Sequence, residues 1–204
     1  MFFSHVCRIF TLTNINTMVL NERDIRHELV VEAGRRMMMA ARTAPKARGV
    51  DIIEIALVSE RADLEKLSAV MRRKGEESGM QFLLRDAENI LQGDAVLLIG
   101  TPVLNQGLNC AYCGCEKCTD KPLMAPCVMN SVDLGIAVGS ACSLAATLCV
   151  DTRVMFSAGW SSLSLDWLPG CTQVISIALS CTSKNPFFDR QPRVEAKSEE
   201  NEAK

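Results

Sequence analysis

Two helices are predicted from the spacing of apolar residues in the first part of the chain. From residue 21 to about residue 41 apolar side chains recur every three or four positions, the period of one helix face, and Asn21 is a suitable N-cap. A charged amphipathic stretch from about residue 61 to 74 predicts a second helix. Gly75 and Gly79 are expected to end it, because glycine commonly follows a helix C-terminus.

Short apolar runs predict the strands of one sheet. Residues 52–58 and 94–99 are rich in Ile, Val and Leu, and further short strands are expected near residues 154–157 and 174–179. Helices that alternate with short strands are typical of an α/β or α+β sandwich around a single sheet. The chain is therefore expected to fold around one central sheet.

A third helix is predicted between Asp133 and Asp151, where residues 134–150 carry no charge and are rich in Gly, Ala and Ser. The stretch reaches the short limit of a membrane span, but it has neither an aromatic belt nor a flanking Lys/Arg cluster. Gly135 and Gly139, about one helical turn apart, allow a neighbouring helix to approach closely. These features favour a buried central helix in a soluble protein and predict no membrane association.

Both ends are expected to lie apart from the folded domain. Residues 1–20 are interpreted as a disordered leader or a mis-assigned start, with Met18 as the alternative first residue. The apolar beginning is not interpreted as a secretory signal, because it lacks a basic first stretch and a small-residue cleavage site. The polar residues 194–204 predict a frayed tail. Residues 21–193 are then a single α+β domain, which agrees with a length of 204 residues.

Composition excludes some classes of function. Lysine and arginine total 22 against 24 for aspartate and glutamate, so the chain lacks the cationic excess of a nucleic-acid binder. Histidine occurs only twice, which leaves little room for histidine-based catalysis, whereas there are 10 cysteines. No export signal is recognised, so a cytoplasmic location is expected. In that reducing compartment clustered cysteines bind metals or carry redox chemistry more often than they form disulfides.

Half of the cysteines fall in a loop predicted over residues 101–130, directly after an expected strand. They are Cys110, Cys113, Cys115, Cys118 and Cys127. Gly107 and Gly114 let the backbone wrap closely around a bound group, and a loop that starts from a buried strand has a rigid base. This loop is the candidate site.

Three kinds of metal site agree with the cysteine spacing. A four-iron four-sulfur cluster uses a C-x2-C turn and two later cysteines. Its ligands would be Cys110, Cys113, Cys118 and Cys127, which leaves Cys115 spare. A plant-type two-iron cluster would use Cys110, Cys115 and Cys118, with Cys149 as the fourth ligand. Structural zinc would draw on the same thiolates, although two C-x2-C pairs separated only by Gly114 make a strained zinc site.

The chain resembles a family of poorly characterised prokaryotic proteins that contain a ferredoxin domain. The similar stretches are residues 41–51, 107–113, 133–141, 150–155 and 184–190. The C-x2-C-x4-C opening is also similar to a four-iron cluster domain of redox proteins, in which the fourth cysteine normally lies further away than Cys127 does here. Members of the family have a bulky residue at the position of Cys115, so the resemblance implies that Cys115 is not a ligand.

A fainter resemblance is to flavin-dependent nitroreductases. Residues 38–58 are similar to the segment that carries part of the flavin site in those enzymes, and residues 134–150 resemble their central dimer helix. The Arg-Arg-Ser type phosphate contact is missing, and Lys46 stands where a small polar residue is usual. The resemblance thus implies the fold and a homodimer more than it implies bound FMN.

Several other residues have structural interpretations. Arg42, Lys46 and Arg48 are expected to form a solvated basic turn rather than an anion site. Asp151 and Arg153 predict a structural ion pair or a cap. The remaining cysteines of the apolar runs are expected to behave as small core hydrophobes; they are Cys142, Cys149, Cys171 and Cys181.

The sequence and the resemblances together predict an α+β protein. Its expected form is a nitroreductase-like sandwich with a central mixed sheet, a buried central helix and an inserted cysteine-rich cluster loop. The expected function is electron transfer or a nitroreductase-like oxidoreductase activity, carried by a four-iron four-sulfur cluster on Cys110, Cys113, Cys118 and Cys127, with an unidentified redox partner. The alternative is a non-catalytic zinc-binding interaction module.

Overall fold

Asn21 begins the first helix in the predicted way, because its side chain accepts a hydrogen bond from the backbone N–H of Arg23 at 3.1 Å. The computed structural model describes residues 19–188. Nearly all of the expected leader, residues 1–18, and the whole expected tail, residues 194–204, lie outside the described residues. The helices are α1 Glu22–Thr43, α2 Arg61–Ser78, α3 Gln81–Gln92, α4 Val128–Thr147 and α5 Phe156–Ser162. The strands are β1 Glu54–Val58, β2 Ala95–Pro102, β3 Asp151–Met155 and β4 Cys171–Ser180.

The four strands form one sheet in the order β1-β2-β4-β3, with each described pairing antiparallel. The predicted α+β sandwich is therefore confirmed, although the sheet within residues 19–188 is antiparallel rather than mixed. The register places Leu97 opposite Leu57 on one side and opposite Ile177 on the other. These three side chains consequently lie on the same face of the sheet.

Alternation along β2 sends its side chains into two separate hydrophobic cores. Leu97 and Ile99 pack with α1 and α4 on one face, whereas Val96 and Leu98 pack with α2, α3 and α5 on the other. Every residue from Ala95 to Thr101 is buried. β2 is thus covered on both faces, and the cysteine-rich loop leaves from its end.

The helices α3 and α5 were not expected from the sequence, and the end of α2 predicted at Gly75 is wrong. α2 continues through Gly75 and ends at Gly79, which has the left-handed conformation of a helix C-cap. Gly75 lies where Leu84 of α3 packs closely against α2, and a Cβ atom there would lie 2.8 Å from Leu84 Cδ2 and displace that side chain. The strand expected near residues 154–157 ends at Met155, where α5 begins.

Helix α4 is buried on one face and exposed on the other. Its inward side packs on α1 and on the sheet through Ala137, Ala141 and other small residues. On the outward side Val132 is 47% exposed and Ile136 is 40% exposed. The predicted burial therefore holds for one face only. By length and composition α4 would suffice to cross a membrane, a property that it shares with apolar core helices of soluble proteins.

Candidate metal centre

The cysteine-rich loop connects the end of β2 at Pro102 to the start of α4 at Val128. All five of its cysteines, Cys110, Cys113, Cys115, Cys118 and Cys127, line a single cavity. The cavity is small and partly open to solvent. The structure therefore brings together the four predicted ligands, and it brings Cys115 to the same place.

Left-handed backbone conformations make the loop curl around this cavity. Gly107 and Gly114 have φ values of 69° and 86°, which explains why glycine is needed at these two positions. Asn109 and Ala111 also have positive φ values, 48° and 58°, on either side of Cys110. An alanine in this region is uncommon, and such residues concentrate at functional sites. Nothing in the sequence marks Ala111 in this way.

Asn109 holds the two ends of the cysteine-rich turn together. Its backbone N–H donates a hydrogen bond to Cys118 Sγ at 3.4 Å, and its side-chain oxygen accepts one from the backbone N–H of Cys118 at 2.8 Å. Asn105 Nδ2 donates to the carbonyl oxygen of Cys118 at 2.8 Å. Three contacts thus fix the position of Cys118, and the one to sulfur becomes stronger when the thiol loses its proton.

A buried amide pair ties the loop to α4. Gln106, which is 4% exposed, donates from Nε2 to Asn130 Oδ1 at 2.9 Å. Asn130 Nδ2 in turn donates to the carbonyl oxygen of Leu104 at 2.8 Å, and Arg48 donates to the carbonyl oxygen of Gln106. Sequence reasoning missed Gln106 and Asn130. The signal that could have found them was the pair of polar amides flanking the cysteine-rich segment.

Cys127 differs from the other four cysteines in its origin. It occupies the N-cap position of α4 and is buried, whereas Cys110, Cys113, Cys115 and Cys118 come from the loop and are half-buried. A thiolate at a helix N-terminus is favoured by the positive end of the helix dipole. The rigid helix therefore positions one sulfur, and the curled loop carries the other four.

Cys115 and Cys113 are close neighbours across Gly114. Desolvation raises the pKa of the Cys115 thiol. The charge of Cys113, a hydrogen bond to its side chain and the charge of Asp120 raise this pKa further, whereas nearby Lys121 lowers it. Cys115 thus shares its electrostatic environment with the predicted ligands. Cys115 also lines the same cavity as the four predicted ligands.

Within residues 19–188 no three Cys, His, Asp or Glu side chains are arranged so that they could hold a single metal ion. All five thiols of the loop line one cavity. The donor set is nevertheless of the kind that binds iron–sulfur clusters, because thiolate sulfur is their characteristic ligand. Five cysteines around one cavity offer more than the four thiolates that such a cluster requires.

The two-iron alternative fails on the position of Cys149. Cys127 precedes α4 and Cys149 follows it, so a helix of 20 residues lies between them. At 1.5 Å per residue this separation is roughly 30 Å. Because Cys127 lines the cavity, Cys149 of the same chain is too far away to share a cluster with the cysteines of the loop.

The cysteines outside the loop are mostly partners of the core. Cys142 and Cys181 pack against the cluster formed with α1 and α4, and Cys171 packs against the opposite one. Burial, with a smaller contribution from Glu54, raises the pKa of Cys171 to about 11. Cys149 is exposed, so its predicted role as a core residue is wrong.

The basic turn after α1 is engaged in internal contacts. Lys46 Nζ donates to the carbonyl oxygens of Arg42 at 2.6 Å and Ala44 at 2.8 Å, and so caps the end of the helix. Arg42 pairs with Asp51 at 2.6 Å. Since Arg48 binds the carbonyl oxygen of Gln106, each of the three cations has a protein partner. The predicted structural role agrees with these contacts.

Arg153 has a different carboxylate partner from the predicted Asp151. Its Nη2 atom lies 3.4 Å from Oδ1 of Asp86, which is 5% exposed. Ser157 Oγ donates to Oδ2 of the same carboxylate at 2.6 Å. The ion pair joins α3 to β3, on the sheet face opposite α4, so it belongs to the framework rather than to the metal centre.

Comparison with known proteins identifies relatives of this chain. Residues 124–190 match the family described as uncharacterised proteins containing a ferredoxin domain (DUF2148). The matched segment includes Cys127 but begins after Cys110, Cys113 and Cys118. A protein of Archaeoglobus fulgidus, described only as uncharacterised, is 38% identical over 186 residues, which span 86% of this chain and 100% of that protein.

Solved structures share the fold at low sequence identity. A BluB-like flavoprotein from Clostridium difficile 630 has a TM-score of 0.54 at 16% identity, over 83% of this chain and 84% of that chain. A nitroreductase with bound FMN from Bacteroides fragilis also has a TM-score of 0.54, at 10% identity over 82% of this chain and 84% of that chain. The predicted nitroreductase-like fold is therefore confirmed.

Proposed function

Because this chain belongs to the family of proteins described as containing a ferredoxin domain, we propose that it is a redox protein that binds one four-iron four-sulfur cluster. The proposed ligands are Cys110, Cys113, Cys118 and Cys127. The description of the family indicates a redox function. The observation that carries the proposal is that all five cysteines of the loop line one cavity.

The family description and the cysteine spacing support a cluster more than they support zinc. In a tetrahedral zinc site with Zn–S distances of about 2.3 Å the sulfurs lie roughly 3.8 Å apart. Two C-x2-C pairs separated only by Gly114 would strain such a site. A cluster binds each thiolate to a different iron, so its four sulfurs need not converge on a single ion.

The residues of the loop would adjust the properties of the bound group. A four-iron cluster supplies reversible transfer of one electron. The Asn109 backbone N–H, 3.4 Å from Cys118 Sγ, would stabilise negative charge on that sulfur. The amide pair of Gln106 and Asn130 would keep the loop seated on α4 in both oxidation states. Electrons would enter and leave at the open mouth of the cavity.

A flavin is not included in the proposal. The cations best placed by sequence to hold its phosphate are Arg42, Lys46 and Arg48, and all three already bind protein carbonyl or carboxylate oxygens. The similar solved structures are flavoproteins, at identities that speak only for the fold. A cytoplasmic location remains part of the proposal, because clustered cysteines that bind a metal or carry redox chemistry are typical of a reducing compartment.

Elemental analysis of protein purified without oxygen tests the proposal. We expect about four iron and four acid-labile sulfide per chain, with a broad brown absorption that air bleaches. Stoichiometric zinc without sulfide would contradict the cluster and favour the zinc-binding interaction module. Flavin content, measured on the same sample, is expected to be negligible.

The exposed face of α4 supports a homodimer. Val132 and Ile136 lie exposed on it beside Gly135 and Gly139, and no charged residue occurs on the exposed part of the helix. A Cβ atom added at Gly139 would meet no neighbouring atom within 4 Å, so that a second helix could approach it closely. We therefore propose that a second copy of the chain covers this face.

Ile136→Glu is expected to convert the dimer into a monomer, because the carboxylate would be buried without a partner in the interface. The matched control is Val154→Glu, which replaces an apolar residue of similar exposure, 50%, on the edge strand β3. Light scattering after gel filtration should give about twice the 22.3 kDa chain mass for the wild type and the control. A monomeric wild type, or a dimeric Ile136→Glu variant, would contradict the proposed interface.

A further inference from the structure

Lys121 is a buried lysine beside the cysteines. It lines the cavity that all five thiols line, and it is 9% exposed. Its Nζ donates to the carbonyl oxygens of Pro122 and Ala125. Among the residues that the structure describes, no Asp or Glu forms a salt bridge with it. Both hydrogen-bonding partners of Nζ are backbone carbonyl oxygens, which carry no net charge.

A buried ammonium group without an opposite charge is unfavourable for a protein. Lysine is almost never buried unless it is paired. Asp120, the neighbouring residue in the chain, is exposed and forms no salt bridge with Lys121. The other groups beside Lys121 that can become negative are the cysteines of the cavity, each of which must lose its proton to bind a metal. Four thiolates with a cluster would provide the opposite charge that the described residues do not provide.

We propose that Lys121 is the counter-charge of the thiolate-bound cluster and that it raises the reduction potential of that cluster. The inference rests on the proposed function and deepens it. Reduction adds one negative charge to the site. A fixed positive charge inside a partly desolvated cavity stabilises the reduced state more than the oxidised state, because the Coulomb energy grows with the charge on the partner.

A purely structural role predicts a different result. Lys121 bonds to the carbonyls of Pro122 and Ala125, which begin the return of the loop toward α4. If these bonds were the reason for the lysine, its removal would destabilise the protein in the absence of a cluster. The counter-charge role predicts the opposite for the cluster-free protein, in which removal of an unpaired buried charge is neutral or stabilising.

The test compares Lys121→Met, which removes the charge, with Lys121→Arg, which keeps it. Lys117→Met is the matched control, because Lys117 is exposed on the same loop. In the cluster-loaded proteins we expect Lys121→Met to lower the equilibrium constant for reduction at least tenfold, about 59 mV for one electron. Lys121→Arg and Lys117→Met should stay within about threefold of the wild type. The cluster-free Lys121→Met protein should unfold at the wild-type temperature or above.

Iron content, sulfide content and the reduction potential of the cluster are measured for every variant. Together they distinguish loss of the cluster from a change in its potential. A loaded Lys121→Met protein with the wild-type potential would overturn the inference, and so would a lower unfolding temperature of its cluster-free form. Loss of the cluster in Lys121→Met but not in Lys121→Arg, at unchanged cluster-free stability, would support the counter-charge role. Loss in both variants would overturn it. A wild-type protein without iron and sulfide would instead refute the proposed function.

Discussion

Replacing Cys113 with serine is expected to abolish the cluster, whereas replacing Cys115 with serine is expected to leave it intact. The two cysteines lie two positions apart across Gly114 and line the same cavity, so each is the natural control for the other. Loss of one thiolate from a set of four removes an iron–sulfur bond that a serine hydroxyl does not replace at neutral pH. Iron and sulfide should fall from about four each per chain to below about one in Cys113→Ser.

The iron and sulfide content of Cys127→Ser shows whether Cys127 or Cys115 is the fourth ligand of the cluster. If Cys127 is the ligand, its replacement should cost the cluster as completely as Cys113→Ser does. A retained cluster in Cys127→Ser together with its loss in Cys115→Ser would assign the fourth position to Cys115. Normal iron and sulfide in all three single variants would contradict the cluster site altogether. Circular dichroism of each variant distinguishes loss of ligand from loss of fold.

Asp86→Ala is expected to cause the largest loss of stability outside the metal centre. The carboxylate is 5% exposed, accepts from Ser157 at 2.6 Å and lies 3.4 Å from Arg153 Nη2. Its removal deprives a buried hydroxyl and a largely buried guanidinium of an acceptor. Breaking such a pair costs about 3–5 kcal/mol, which for a domain of this size lowers the melting temperature by roughly 6–20 °C.

Glu88→Ala, on the same helix α3, is the matched control. Glu88 also forms an ion pair, with Arg72 at 2.6 Å, but its side chain is 54% exposed. Exposed pairs contribute about 0–1 kcal/mol. The melting temperature, measured by circular dichroism, should therefore fall much further in Asp86→Ala than in Glu88→Ala. Equal losses would contradict a stabilising role of the buried Asp86–Arg153 ion pair.

The predicted secondary structure was most accurate where one signal governed an element. The start of α1 at Glu22 follows from the Asn21 cap, and β2 follows from its unbroken apolar run. α3 was missed although its buried residues Leu83, Ala87 and Ile90 recur at helical spacing. The end of α2 was also expected too early, at Gly75. Gly75 lies inside α2 so that Leu84 can pack against it, and this contact depends on a second helix that comes later in the chain.

The candidate site shows the same division. The cysteine spacing predicted a site in this loop, and Cys110, Cys113, Cys118 and Cys127 line one cavity there. Their role as cluster ligands stays a prediction. The left-handed conformation of Ala111 could not be predicted, because alanine has no preference for it. The burial of Lys121 was also missed, since a lysine in a polar loop is normally exposed.

The types of residue and their spacing along the chain were enough to predict a sandwich of helices around one sheet, the positions of most elements and the concentration of thiols in one loop. These properties depend on residues that are close together in the sequence, so they can be read from short stretches of it. Which thiols share a cavity, that Cys149 lies about a helix length away from it, and that Lys121 faces the thiols depend on how α4 and the loop pack together. Contacts between residues distant in sequence arise only when the chain folds, so the tertiary structure alone decides them.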